Sequence, residues 1–183
     1  MAAIRDVLKQ YHKLNDWCAQ FWNKTYKTCS NDIACSAGCG ICCELQSVNI
    51  LESYSIYMSL TDKLTAAVLP ESSKCVFLVD DKCSIYGIRP QICRTHGLAI
   101  KSKEFISAYS ITCPYNFSKT DLDCMPECIL DIDMVTENLM KLNYAFCLLV
   151  NLKHLASERI LLKDIAMRTL SLEIAQAFAS IYE

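Results

Sequence analysis

The stretch IRDVLKQYHKLNDWCAQFWNKTY, residues 4–26, carries apolar side chains at Ile4, Val7, Leu8, Tyr11, Leu14, Trp17, Cys18, Phe21, Trp22 and Tyr26. Steps of three and four residues put them on one face of an α-helix, with charged residues opposite. The pattern predicts a helix over residues 2–27 and a mainly α fold. Cys18 lies inside the apolar stripe, where a small buried side chain is the simplest reading.

Working outward, a second helix is expected over 49–69, closed by Pro70, which disfavours helical geometry in the residue before it. Apolar periodicity returns over 133–154, with Asp131 or Asp133 as N-cap, and again over 164–182. Between these last two, ERILLK (158–163) reads as an irregular connector. The middle of the chain has a different character. Short β-prone runs, Cys75 to Val79 and Cys83 to Tyr86, flank Asp80-Asp81-Lys82 and predict a small hairpin. A second, weaker strand pair is expected in GLAIKSKEFISAYSITC (97–113). The expected architecture is a helical frame around a cysteine-rich central insert of loops and a short β-hairpin. No repeat, low-complexity tract or linker divides the chain, so a single domain over 1–183 is expected, with its motifs at 35–113.

At 183 residues, 52% of them apolar, the chain can bury a core without cross-links. A formal charge of -2, with acids and bases interspersed, supplies no basic face for nucleic acid or anionic membrane. MAAIRDVLKQ brings in Arg5, Asp6 and Lys9 before any apolar run develops, unlike a secretory signal. The most apolar segment, LNYAFCLLVNL (142–152), is too short to span a bilayer. A cytoplasmic location is expected. The apolar helices near Ala145 and Ala177 would support a homodimer, although core burial explains them equally well.

The chain has 13 cysteines, an odd number, and the cytosol keeps most thiols reduced, so metal ligation and core packing are the readings that remain. CSAGCGICCELQS (35–47) sets Cys35, Cys39, Cys42 and Cys43 within nine residues. A metal site needs thiolates converging on a point about 2.3 Å from each sulfur. Two cysteines separated by two residues achieve this from one tight turn, and Gly38 and Gly40 beside Cys39 supply the backbone freedom. A helical segment would also cluster the sulfurs, since positions 35, 39, 42 and 43 share one face. Neighbouring side chains diverge, so one of Cys42 and Cys43 is expected to ligate while the other packs or serves a second ion. Cys75 and Cys83 fall on the two arms of the hairpin. Pro90 can start a short helix that presents Cys93 about one turn later. Cys113 makes an eighth thiol, enough for two four-coordinate sites or one larger cluster.

The Cys35–Cys43 group combined with CVFLVDDKCSIYGIRPQICR (75–94) resembles the YkgJ-like family of zinc- or iron-chelating cysteine-cluster proteins. That family's hallmark is CxxCxxCC followed by a further cysteine and a CSIYxxRPxxCR segment. Cys83, Ser84, Ile85, Tyr86, Arg89, Pro90, Cys93 and Arg94 all stand where the pattern has them. The chain departs from it in placing three residues, Ser36-Ala37-Gly38, between its first two cluster cysteines. The resemblance implies metal binding, by an iron–sulfur cluster or zinc, and no defined reaction.

An all-thiolate set suits both zinc and iron–sulfur clusters. More than four candidate thiols, an adjacent pair and a reducing compartment tilt the expectation slightly toward iron–sulfur. Arg89 and Arg94 would stabilise the negative charge of such a site as supporting residues. Tyr86 is expected to pack beside it, its hydroxyl finding a polar partner. His96 offers a nitrogen ligand, though a single histidine beside a turn is more often hydrogen-bonded filler. Cys124 and Cys128, four residues apart, suggest an auxiliary pair or a redox-sensitive dithiol, although partial burial or a free thiol is the simpler reading. Cys29 is a reserve ligand and Cys147 a core residue. His12, His96 and His154 suggest no catalytic triad by their chain positions, so no catalytic residue is assigned and enzymatic activity is left open. The functional expectation is a cysteine-ligated metal-binding protein, with a redox role or one in modifying a protein or peptide. The alternative is a structural zinc module that mediates protein–protein interaction without catalysis.

Overall fold

The computed structural model describes residues 2–36, 38–60 and 74–181. It is mainly helical, as the periodicity predicts. The helices are α1 (Ala2–Thr28), α2 (Ile50–Ser59), α3 (Gln91–Thr95), α4 (Ile132–Leu149), α5 (Leu162–Ala166) and α6 (Leu172–Ala179). The strands are short: β1 (Ser47–Val48), β2 (Leu78–Val79), β3 (Lys82–Cys83), β4 (Ala99–Lys101), β5 (Ser110–Ile111), β6 (Ile129–Asp131) and β7 (Ile160–Leu161). No helix among the described residues is long and apolar enough to cross a membrane. Residues 61–69 of the helix expected over 49–69 lie outside the described residues, as does Tyr182 at the end of the one expected over 164–182.

The chain forms two compact units. The first comprises Met1–Gln10, Gly38–Pro90 and Lys141–Glu183; the second comprises Tyr11–Ala37 and Gln91–Met140.

In the first unit, Asn49 caps α2 by accepting the Glu52 N–H at 2.9 Å, satisfying one of the donors a helix start leaves open. The buried side chain of Asn143, on α4, accepts the Leu51 N–H at 3.0 Å and donates to the Ala156 carbonyl at 2.8 Å. Tyr54, Phe146 and Phe178 pack their rings together from α2, α4 and α6. A second cluster gathers Val48, Ile56, Cys75, Phe77, Ile85, Leu162 and Ile165.

Four expectations need correction. ERILLK is no irregular connector: Ile160 and Leu161 pair antiparallel with Val48 and Ser47, and Leu162 opens α5. The helix expected over 164–182 is two helices. Arg168 between them has φ 55°, a left-handed value that interrupts helical geometry, and Ser171 caps the second through the Ile174 N–H. The helix expected over 133–154 stops at Leu149, because Asn151 takes φ 60° while the Leu152 and Asn151 N–H groups bond back to the Cys147 and Leu148 carbonyls. Such an asparagine-closed end satisfies the last carbonyls. The hairpin is shorter than expected, with pairs Leu78↔Cys83 and Val79↔Lys82. Its two-residue turn is Asp80-Asp81, both at positive φ (48° and 58°), the geometry that matches strand twist. Lys82 therefore belongs to the strand.

In the second unit, β4 lies between β5, antiparallel, and β6, parallel. The expected strand pair in 97–113 is present; β6 was not foreseen. Asp131 is the N-cap of α4, accepting the Met134 N–H at 3.2 Å. Asp133 instead accepts from Ser102 Oγ and the Lys103 N–H. Cys18 packs among Leu98, Leu130 and Val135, in the core as its place in the stripe indicated.

Asp32 ties the segment after α1 to residues 118–120. It accepts from Ser118 Oγ (2.8 Å), the Lys119 N–H (2.6 Å), the Thr120 N–H (2.7 Å) and Thr120 Oγ1 (2.8 Å). Desolvation works against the charge, but these four donors outweigh it and hold the carboxyl at about 2. A folded pKa below the unfolded value of about 3.9 contributes stability that is present above pH 4 and lost as pH falls through 2. Urea midpoints measured from pH 5 to pH 2 are expected to fall less steeply for Asp32→Asn than for the parent. Parallel profiles would show that the clamp does not couple folding to acid.

Candidate metal centre

Cys39, Cys42 and Cys43 sit on a turn closed by the Cys43 N–H on the Gly40 carbonyl (3.1 Å). Gly38 enters it at φ 91°, a value that suits glycine. Gly40 packs closely on the hairpin: a Cβ there would stand 3.0 Å from Leu78 Cδ2, so the leucine side chain would have to shift to admit it. The turn is thus seated directly on the hairpin that carries Cys83. The Cys75 N–H bonds the Cys43 carbonyl at 2.8 Å, joining the third cysteine-bearing segment. Lys74 adds an ion pair with Glu44 at 2.9 Å and a bond to the Ile41 carbonyl.

These contacts gather five thiols in the first unit: Cys39, Cys42, Cys43, Cys75 and Cys83. Burial pushes the Cys43, Cys75 and Cys83 thiols up; Cys83 adds to the rise at Cys43 and Cys75, and Cys39 to that at Cys43. Opposing groups are also in place. The Phe77 N–H donates to the Cys75 sulfur and the Ile85 N–H to the Cys83 sulfur, while Lys74 stands near Cys43 and Arg89 near Cys83. Backbone N–H groups aimed at sulfur, with cations beside them, stabilise thiolate over thiol.

Among the described residues, no three His, Cys, Asp or Glu side chains stand as a finished metal shell. The donor set nevertheless fits a soft, thiolate-bound group: sulfur ligands only, N–H donors on two of them, and two exposed members. Cys39 and Cys42 are exposed, whereas Cys43 and Cys83 are half-buried.

Cys35, Cys93 and Cys113 belong to the second unit. The buried Asn116 holds the loop of Cys35, accepting the Ala34 N–H (2.9 Å) and donating to the Gly97 carbonyl (2.7 Å) and to Cys35 Sγ (3.3 Å). Gly97, at φ 92°, lies beneath that sulfur; a Cβ there would come within 3.1 Å of it. Cys93 is half-buried on α3, directly after Pro90, and Cys113 is buried.

The supporting residues divide. Arg89 lies near Cys83, and its guanidinium also stacks on the Tyr86 ring at 3.7 Å. Tyr86 is 64% exposed, so it forms a surface platform for Arg89 rather than packing inward. Arg94 stands near Cys18 instead, where burial pushes the thiol up to about 11 against the opposing Gln91 hydrogen bond and Arg94 charge. Cys124 faces Asp121 Oδ2 at 3.2 Å, whereas Cys128 is buried against Cys29, their sulfurs 3.9 Å apart. Cys147 is core. Sequence reasoning missed Asn116 and the pairing of Cys29 with Cys128, because both depend on contacts between segments more than 80 residues apart.

Residues 34–114 match the family model described as "CxxCxxCC: Putative zinc- or iron-chelating domain". The central segment thus carries the cysteine-cluster domain that its motifs resemble, and the YkgJ-like reading is consistent with it. No curated protein and no solved structure matches the chain.

Proposed function

We propose that Cys39, Cys42, Cys43, Cys75 and Cys83 hold an iron–sulfur cluster, and that the protein serves a cytoplasmic redox step or the modification of a protein or peptide. The observation that supports this reading is the meeting of three cysteine-bearing segments through the Gly40–Leu78 packing and the Cys75-to-Cys43 backbone bond. Five thiols exceed the four a single closed zinc site needs. A bound cluster would supply one-electron chemistry. The Phe77 and Ile85 N–H groups would hold charge on the sulfurs, and the Cys75 side would be kept dry by Val76, Phe77 and Ile85.

Anaerobic purification with elemental analysis and a visible spectrum tests this. Iron with acid-labile sulfide and broad absorption that bleaches on reduction is the expected result. Colourless protein with stoichiometric zinc would favour the structural module; protein without either metal and with all thirteen thiols titratable would overturn metal binding altogether.

A further inference from the structure

We propose that Cys29, Met125 and Cys128 form a separate site for a soft monovalent ion, Cu(I), in the second unit. Cys29 follows the last turn of α1, Met125 immediately precedes the short 3-10 turn Pro126–Cys128, and Cys128 ends it. Their sulfurs converge: Cys29 Sγ stands 3.9 Å from Cys128 Sγ and 4.0 Å from Met125 Sδ. A metal at the centre of a sulfur triangle, with bonds of about 2.3 Å, needs edges of about 4 Å. The two measured edges already have that length.

The surroundings select the ion. Cys29 and Cys128 are buried and Met125 half-buried, within an apolar shell of Ala99, Phe117, Leu122, Ile33 and Tyr109. Hard cations require oxygen donors, and Asp32, a carboxylate near Cys29, is taken up by Ser118, Lys119 and Thr120; a closed zinc site needs one ligand more than these three sulfurs. Two thiolates and a thioether in a dry pocket suit Cu(I). Binding transfers the two thiol protons to solvent and leaves the copper oxidation state unchanged. This set lies outside the matched segment 34–114 and shares no residue with the first-unit thiols.

The full reduced chain, labelled with ¹³C at its methionine methyls, is titrated anaerobically with Cu(I) delivered as its bicinchoninate complex, and with Ag(I) as a redox-inert substitute. Met125→Leu identifies the Met125 signal among the six methionines. The Met125 methyl is expected to shift while the other five stay in place. Met125→Leu, close in volume, is expected to weaken the tightest Cu(I) equivalent not lost with the first-unit thiols by about tenfold or more, the loss typical even of a supporting ligand partner. A Met125 methyl that stays unmoved while other thiols take up copper overturns the site. Unchanged affinity in Met125→Leu overturns it as well.

Discussion

Cys75→Ser is expected to weaken metal binding at least about 100-fold, so that the protein as purified is nearly metal-free. Cys75 is the most buried of the five first-unit thiols, packed among Val76, Phe77 and Ile85. Its amide anchors on the Cys43 carbonyl and its sulfur receives the Phe77 N–H, so both its backbone and its side chain are held in place. Serine offers a harder, shorter ligand atom that remains protonated, and it buries a hydroxyl where a sulfur had been packed. Exposed Cys39 is less constrained, and Cys39→Ser is expected to lose less. Cys124→Ser provides the control: that thiol is exposed, faces Asp121, and should leave metal content unchanged. Circular dichroism of each variant separates loss of a ligand from loss of fold. If Cys75→Ser keeps its iron or zinc and Cys124→Ser loses it, the site has been put on the wrong residues.

The parts of the fold that were legible are those written in local, repeated signals. The α1 stripe repeats over seven turns, and Asn49 and Asp131 stand where helix starts need side-chain acceptors. The hairpin was legible from two β-prone runs around an acidic pair, although only the backbone shows that Asp80 and Asp81 both turn left-handed. Strands β1, β6 and β7 were not. Two or three residues are too few to show an alternating pattern, and each pairs with a segment remote in sequence. The same division applies to the site. Cysteine spacing and the CSIYxxRPxxCR segment marked the metal-binding domain, which the family match supports. Spacing alone could not show that Tyr86 faces outward beneath Arg89, or that Cys128 faces Cys29 instead of Cys124.

Phe178→Ala is expected to destabilise the first unit by about 3–5 kcal/mol, the range for deleting a buried aromatic ring. The ring is fully buried, edge-on to Tyr54 at 5.1 Å, 5.9 Å from Tyr57 and 6.5 Å from Phe146. Helix α6, with eight residues, is too short to persist without tertiary packing, so its Ser171 cap cannot substitute for the lost contacts. Ile174 and Phe178 are its buried residues, whereas Leu172 is exposed, and Leu172→Ala should change stability little. Urea unfolding followed by circular dichroism at the helix band measures both. The tryptophans, Trp17 and Trp22, lie in the second unit and would report on the wrong structure. A loss below 1 kcal/mol would mean that α6 is not held by this ring. Cys75 packs in a separate cluster with Ile85, Leu162 and Ile165, so metal per folded chain should stay unchanged in Phe178→Ala. Metal that falls in step with stability would instead show that the aromatic core and the thiol site unfold as one.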